Sequence, residues 1–196
     1  INDPRIVLRA GAPNKVSEMV AADIAGFEFA YINQDFQNTD GVDFNFDYRF
    51  SAGENDFGIN LSGTKTLGYE MTTEGAVFEG VGYMNHSNLG IAMPELMARL
   101  TLDWRGGPHY LRLTSRSVGA VEEDSLTEKD TTSFDYNTYD LLYNFSLNDG
   151  AGNFNVAVIN ATDEETPRDG TTLGTNLSGT WDPRGRMYRV GFNWGF

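Results

Sequence analysis

The side chains of this chain that could do chemistry are mainly carboxylates and guanidinium groups, and many recur at every second position. The largest such set contains charged and amide residues: Asp43, Asn45, Asp47, Arg49, Arg99, Asp103, Arg112, Arg116, Asp140, Asn144 and Arg189. Two interpretations stay open for this set. It lines a path for a ligand or a contact with another part of the protein, or it forms a hydrated wall held by internal ion pairs.

No pattern typical of an enzyme or a metal centre is present. The chain has no cysteine, and it has no nucleophile elbow, phosphate-binding loop or zinc motif. His86 and His109 lie far apart without neighbouring ligand residues. The sequence therefore predicts no catalytic residue, no metal site and no cofactor.

Acidic clusters over residues 122–130 and at Asp163-Glu164-Glu165 are the remaining candidates for ion binding. Carboxylate oxygens suit calcium, but the spacing does not match an EF-hand loop. Calcium ligands and solvated acidic loops both stay open as interpretations. The formal net charge of -14 argues against nucleic-acid binding, because phosphates require a basic surface.

The spacing of two is the period of a β-strand, whose successive side chains point to opposite faces. The last thirteen residues, 184–196, show it most clearly, because large apolar side chains alternate with small or polar ones. The apolar positions of this segment are Tyr188, Val190, Phe192, Trp194 and Phe196. The same alternation runs from Val42 to Phe50, with aromatic residues on one face and charged or amide groups on the other.

This pattern predicts about seven strands, joined alternately by short turns and long loops. The predicted strands are 28–51, 55–69, 95–105, 109–119, 134–148, 152–162 and 184–196. The short turns lie near 52–55, 105–108 and 148–152, and the long loops near 70–93, 119–133 and 163–183. Short turns at one end and long loops at the other are typical of an outer-membrane barrel.

Aromatic residues beside the short turns are expected to form a girdle at the periplasmic side of the membrane. They are Phe50, Phe57, Trp104, Phe145, Phe154, Trp194 and Phe196. No apolar run reaches the roughly 18–20 residues of a membrane-spanning helix. The predicted fold class is therefore all-β, an antiparallel transmembrane β-barrel.

The strand number bears on the size of that barrel, because bacterial single-chain barrels close with an even number of strands. If the last of seven strands ends in the periplasm, the first begins outside. Residues 1–27 are then expected to be an extracellular loop segment, and 28–196 the C-terminal portion of a larger barrel. An eighth strand within 5–10 or 74–84 would instead favour a self-contained small barrel.

Four segments resemble the TonB-dependent receptors, the large active transporters of Gram-negative outer membranes. They are 33–43 with its Thr39-Asp40-Gly41-Val42-Asp43 run, 94–104 ending in Trp104, 158–167 and 184–196. Ala161-Thr162 stands where an apolar pair is usual, and one proline where two are common. These departures leave the subfamily and the substrate open.

The resemblance implies a 22-stranded barrel enclosing a plug domain, to which this segment contributes about the last third of the wall. It implies uptake of a scarce nutrient, such as a siderophore or a sugar, across the bacterial outer membrane. The implied partners are the rest of the barrel and its plug, the TonB complex, outer-membrane lipid and the barrel assembly machinery. The barrel assembly machinery would recognise the aromatic alternation of the final strand. The segment itself contains no plug and no TonB box.

Three aromatic or histidine residues in the long loops are candidates for ligand contact: Tyr83, His86 and Trp181. Exposed aromatic rings suit sugars and apolar chelates, although loop aromatics also simply pack loops. Two other classes stay open for the whole chain. One is an eight-stranded outer-membrane barrel with an adhesin or structural role, and the other is a soluble β-sandwich that buries its aromatic faces.

Overall fold

The computed structural model describes residues 6–8, 24–27, 36–73, 76–85, 92–124, 135–147, 151–166 and 180–195. All regular structure in these ranges is β, as predicted. The strands are β1 Ile6–Leu8, β2 Ile24–Phe27, β3 Phe36–Ala52, β4 Asn55–Thr73, β5 Ala76–Glu79, β6 Tyr83–Asn85, β7 Leu96–Gly106, β8 His109–Val118, β9 Glu122–Asp124, β10 Tyr136–Leu147, β11 Gly152–Ile159 and β12 Met187–Trp194. Within these ranges there is no helix with the length and hydropathy needed to cross a membrane.

The chain divides into two compact units, Ile1–Gln34 and Asp35–Phe196. In the first unit, β1 pairs antiparallel with β2. Residues 1–27 were expected to be a loop, and the structure differs by placing these two short strands there. Both carry apolar residues (Ile6, Val7 and Leu8 in β1), but each is too short for its alternation to stand out from a loop.

The second unit is built on one antiparallel sheet in which seven strands follow each other in chain order. The order is β3, β4, β7, β8, β10, β11 and β12. These strands coincide with the seven predicted ones, although β3 begins at Phe36 and residues 28–35 lie outside the described ranges. Among the described strands, β3 and β12 each pair with one neighbour only, so the sheet is open at both edges.

β5 is an eighth strand of this sheet, but it lies outside the series of seven successive neighbours. β5 pairs with Glu70–Thr73 of β4, while β7 pairs with Asn55–Lys65 of the same strand. Since β3 occupies the opposite edge of β4 from Asn55 to Thr72, β5 and β7 share one edge. The segment 74–84 therefore holds a strand, but that strand is not an eighth member of the series.

The buried side chains lie at the end of the sheet that carries the long connections, 74–95, 119–135 and 160–186. β6 and β9, which belong to two different connections, pair in parallel. A cluster of buried residues from all three connections and β10 packs together: Met84, Ala92, Val121, Tyr136 and Trp181. The described parts of the three long connections thus pack together, and we call them the cap.

Candidate functional site: the two faces of the sheet

Residues directly opposite each other on antiparallel strands share a face of the sheet, so the register defines the composition of each face. One row across all seven strands is Tyr48, Ile59, Leu102, Leu113, Leu141, Val158 and Tyr188. The next row is Phe50, Phe57, Trp104, Leu111, Tyr143, Val156 and Val190. This face is apolar from one edge of the sheet to the other, and we call it the apolar face.

The apolar face is not covered by other described residues. Tyr48 is 52% exposed, Leu102 39% and Tyr188 69%. Soluble monomers rarely expose a continuous apolar patch above a few hundred Å². An apolar face that spans seven strands is therefore unsuited to contact with water.

Aromatic rings concentrate on this face near the short turns. Phe50 stacks on Phe57 with ring centroids 5.0 Å apart, and Trp104 lies 6.3 Å from His109. The indole N–H of Trp104 donates to the Asn55 side-chain oxygen at 2.9 Å, so its polar atom is paired. The described members of the predicted girdle all lie on this face: Phe50, Phe57, Trp104, Phe145, Phe154 and Trp194. Phe196 lies outside the described residues.

The opposite face carries the polar set that the alternation singles out, and we call it the polar face. One of its rows is Asn45, Ser62, Arg99, Arg116 and Thr138, and another is Arg49, Gly58, Asp103, Arg112, Leu142, Ala157 and Arg189. Asp43, Asp47, Asp140 and Asn144 have the same parity on their strands. All eleven predicted residues therefore share one face.

Asp103 is the centre of the first polar network. Arg112 donates to both of its carboxylate oxygens, from Nε at 2.7 Å and from Nη2 at 3.2 Å, and the Tyr110 hydroxyl donates at 2.6 Å. The guanidinium carbons of Arg105 and Arg112 lie 5.5 and 5.6 Å from the centre of the Tyr110 ring, within cation–π range. Gly58, with no side chain opposite Asp103, leaves a groove of about 480 Å³ beside this network.

Asp140 is the centre of the second network. Arg116 forms an ion pair with it, and the backbone N–H of Asn160 donates to its Oδ1 at 3.0 Å. The buried Asn160 side chain then accepts from the Glu164 N–H and donates to the Glu164 carbonyl, both at 2.9 Å. Asp140 thus ties β8 and β10 to the start of the connection between β11 and β12.

The candidate ligand-contact residues of the loops have different environments. Tyr83 is 37% exposed on β6, and His86 lies outside the described residues. Trp181 is only 6% exposed and belongs to the buried cluster. Its side chain therefore packs the described parts of the three long connections together, which is the second of the two roles considered for loop aromatics.

The acidic clusters do not assemble into a cation site in the part of the chain that the structure describes. There, no group of three or more carboxylate or histidine side chains is positioned to hold a metal ion. Asp163 instead accepts from the Arg186 backbone N–H at 2.9 Å and from its guanidinium at 3.3 Å. Most of the 122–130 cluster, residues 125–130, lies outside the described ranges.

Further polar residues lie on the polar face beside the predicted set, among them Arg105, Tyr110, Thr101 and Thr114. They occupy the same alternate positions of β7 and β8 as the predicted residues, so the alternation in the sequence could have identified them. The fold and site thus define an antiparallel sheet with one exposed apolar face and one face of paired charges. No family model, curated protein or solved structure matches the chain.

Proposed function

We propose that this chain forms part of the wall of an outer-membrane β-barrel, the C-terminal part of a TonB-dependent transporter that takes up a scarce nutrient. One observation carries the proposal: one face of the sheet is apolar and uncovered by other described residues across seven strands, while the opposite face carries the charges. A soluble sheet has the reverse arrangement, with its apolar face buried. An apolar face that no protein covers, opposite a charged face, is favoured in contact with lipid.

The lengths of five of the seven strands suit a membrane-spanning wall, whereas β11 and β12 have 8 residues each. β7, β8 and β10 have 11, 10 and 12 residues, and a tilted membrane-spanning strand needs about 9–11. β3 and β4 are longer, at 17 and 19 residues, and would project beyond the bilayer. The aromatic rings near the short turns would then lie at one membrane surface, where amphipathic rings are favoured.

The polar face would line the aqueous interior of the barrel. Its charges are largely compensated, since Asp103 pairs with Arg112, and Asp140 with Arg116. Paired charges of this kind suit a hydrated wall along which a solute or a plug domain moves. The packed cap of the long connections would form the outer mouth.

Strand parity supports a barrel larger than this sheet. β3 and β12 are the first and seventh strands of an antiparallel series, so they run in the same direction. Direct pairing between them would be parallel, and antiparallel closure requires an odd number of further strands. About fifteen would complete the 22-stranded barrel of outer-membrane transporters. A single further strand would complete an eight-stranded barrel, but β5 does not take that position, because it pairs with β4 beside β7.

The three tryptophans provide a test of lipid contact with an internal control. Trp104 and Trp194 lie on the apolar face, and Trp181 is in the buried cluster. Three variants, each with one tryptophan kept and the other two changed to Phe, are reconstituted with lipids brominated on their acyl chains. We expect strong fluorescence quenching for Trp104 and Trp194 and little for Trp181. Equal quenching of all three, or none for Trp104, would refute a lipid-facing apolar face.

A second experiment addresses the larger barrel. The detergent-extracted protein is run on a denaturing gel with and without heating, and its bands are identified by intact mass and N-terminal sequencing. A larger polypeptide released only on heating is the expected result. A single compact, heat-modifiable species of about the size of this chain, 21.7 kDa, would contradict it and favour the small barrel.

A further inference from the structure

Two arginines stand directly opposite each other on the polar face. Arg99 of β7 is paired in register with Arg116 of β8. Like charges directly opposite on neighbouring strands destabilise a sheet, so this pair requires compensation. One of the two has it, because Arg116 forms an ion pair with Asp140.

Arg99 has no ion pair with any described residue. Most other described cations have a carboxylate partner: Arg49, Lys65, Arg112, Arg116, Arg184 and Arg186. Arg105 and Arg189 also have none within the described ranges, but Arg105 stands opposite Tyr110 and Arg189 opposite Ala157. Among the cations of the described sheet that have no ion pair, Arg99 is thus the one that stands opposite a second guanidinium group.

A groove of about 290 Å³ opens between these side chains. The polar residues that line it are Arg99, Thr101, Arg112, Thr114, Arg116 and Asp140. Thr101 and Thr114 are directly opposite each other, so their side chains form the next row beside the two arginines. Both oxygens of Asp140 already accept hydrogen bonds, from Arg116 and from the Asn160 N–H.

We propose that this groove binds the oxyanion of a ligand, a carboxylate or a phosphate, between the guanidinium groups of Arg99 and Arg116. Guanidinium forks donate paired hydrogen bonds to planar or tetrahedral oxyanions, and threonine hydroxyls can donate further ones. The bound anion compensates the charge of Arg99 and separates it from Arg116. The volume is at the lower limit of small-molecule sites, so it fits a small anion or the anionic group of a larger ligand.

This inference rests on the proposed function in one respect, that the polar face is hydrated and open to solutes. It names a property of the ligand that the barrel interpretation does not, namely an anionic group. The chain as a whole carries a net charge of -14, so the attraction is local. At physiological salt it is screened beyond about 8 Å, and binding therefore depends on contact with Arg99.

The test uses the folded full chain in detergent, with inorganic phosphate and citrate as probes and chloride at matched ionic strength as the reference. Binding is measured by titration calorimetry and by the shift of the thermal unfolding midpoint. We expect phosphate, citrate or both to bind saturably and to raise the midpoint. Binding of phosphate alone assigns a phosphate-bearing ligand, and binding of citrate alone a carboxylate.

Arg99→Gln is the informative variant, and Arg189→Gln is its control, since Arg189 is another unpaired arginine of the same face but stands opposite Ala157. Arg99→Gln is expected to weaken anion binding by about tenfold or more, the scale of a lost charge-assisted hydrogen bond. It removes a like charge, so without anion its midpoint should equal or exceed that of the wild type. Arg189→Gln should bind as the wild type does.

Two results would overturn the proposal. One is that neither phosphate nor citrate binds saturably to the folded wild type. The other is an equal loss of binding in both variants, which would indicate non-specific attraction to arginine. Neither result bears on lipid contact of the apolar face, which tryptophan quenching measures separately, so failure of this site and failure of the barrel proposal are distinguishable.

Discussion

Asn160 is the residue whose substitution tests the packing of the cap most directly. It is 4% exposed, and its φ of 52° places it in the left-handed region. Its side chain makes two hydrogen bonds to the backbone of Glu164, both at 2.9 Å. Asparagine tolerates this backbone conformation better than most residues, so one side chain satisfies two separate requirements.

Alanine can neither make these hydrogen bonds nor adopt the left-handed conformation without strain. Glycine adopts that conformation readily and loses only the hydrogen bonds. Two lost hydrogen bonds cost about 1–3 kcal/mol in total, since each contributes about 0.5–1.5 kcal/mol. The left-handed conformation adds about 1 kcal/mol for alanine but little for glycine. We expect Asn160→Ala to lower the free energy of unfolding by about 2–4 kcal/mol, and Asn160→Gly by about 1 kcal/mol less.

The assay is urea unfolding of the protein in lipid vesicles, followed by tryptophan fluorescence. Asn155→Ala is the control, because Asn155 lies on β11 with an ordinary φ and no side-chain hydrogen bond to another described residue. It should change the free energy by less than about 0.5 kcal/mol. The reasoning is refuted if Asn160→Ala is as stable as this control, or if Asn160→Gly is less stable than Asn160→Ala.

Three further predictions concern other parts of the sheet and cap. Gly63→Ala should clearly lower the unfolding midpoint, because the added Cβ would lie 2.5 Å from a backbone carbonyl oxygen and 2.6 Å from a phenyl ring. Gly68→Ala is the control and should be tolerated, since its Cβ would lie 3.5 Å from the nearest atom. Equal midpoints for the two variants would argue against this packing. Phe46→Lys on the apolar face should lower stability in vesicles by about 2–4 kcal/mol, and an unchanged midpoint would contradict contact of this face with lipid. Hydrogen bonds from the Arg184 guanidinium hold the pKa of Asp182 below its ordinary value of 3.8. Since this pKa is depressed in the folded state, the stability difference between wild type and Arg184→Gln should be present at neutral pH and disappear as the pH falls below 3.8; a difference that grows in acid would show the opposite linkage.

The amino-acid sequence was sufficient to predict the seven consecutive strands of the main sheet and the faces of each one, but not the added strand β5. The alternation from Val42 to Phe50 is a local property, because successive side chains of a strand point in opposite directions whatever its partner is. The turn at Gly53 and the turn at Gly107 are likewise local, since both glycines adopt a positive φ that other residues rarely adopt.

The segments that the sequence did not reveal are short or depend on distant partners. β6 and β9 have three residues each and pair across two different connections, so neither shows a period. The burial of Trp181 follows from the packing of three connections against each other, and no local pattern distinguishes it from a more exposed residue of those connections such as Tyr83.

The sequence by itself determined which residues of each strand share a face, and tertiary structure decided which residues of different strands meet. Strand register depends on turn geometry and on irregularities such as the shift between Asp40 and Gly41. A change of one residue in the pairing of β7 and β8 would separate the two arginines, because Arg99 would then face a serine and Arg116 would face Ala98 or Leu100. The candidate anion site therefore exists only through the register, although each of its arginines could be assigned to the polar face from the alternation alone.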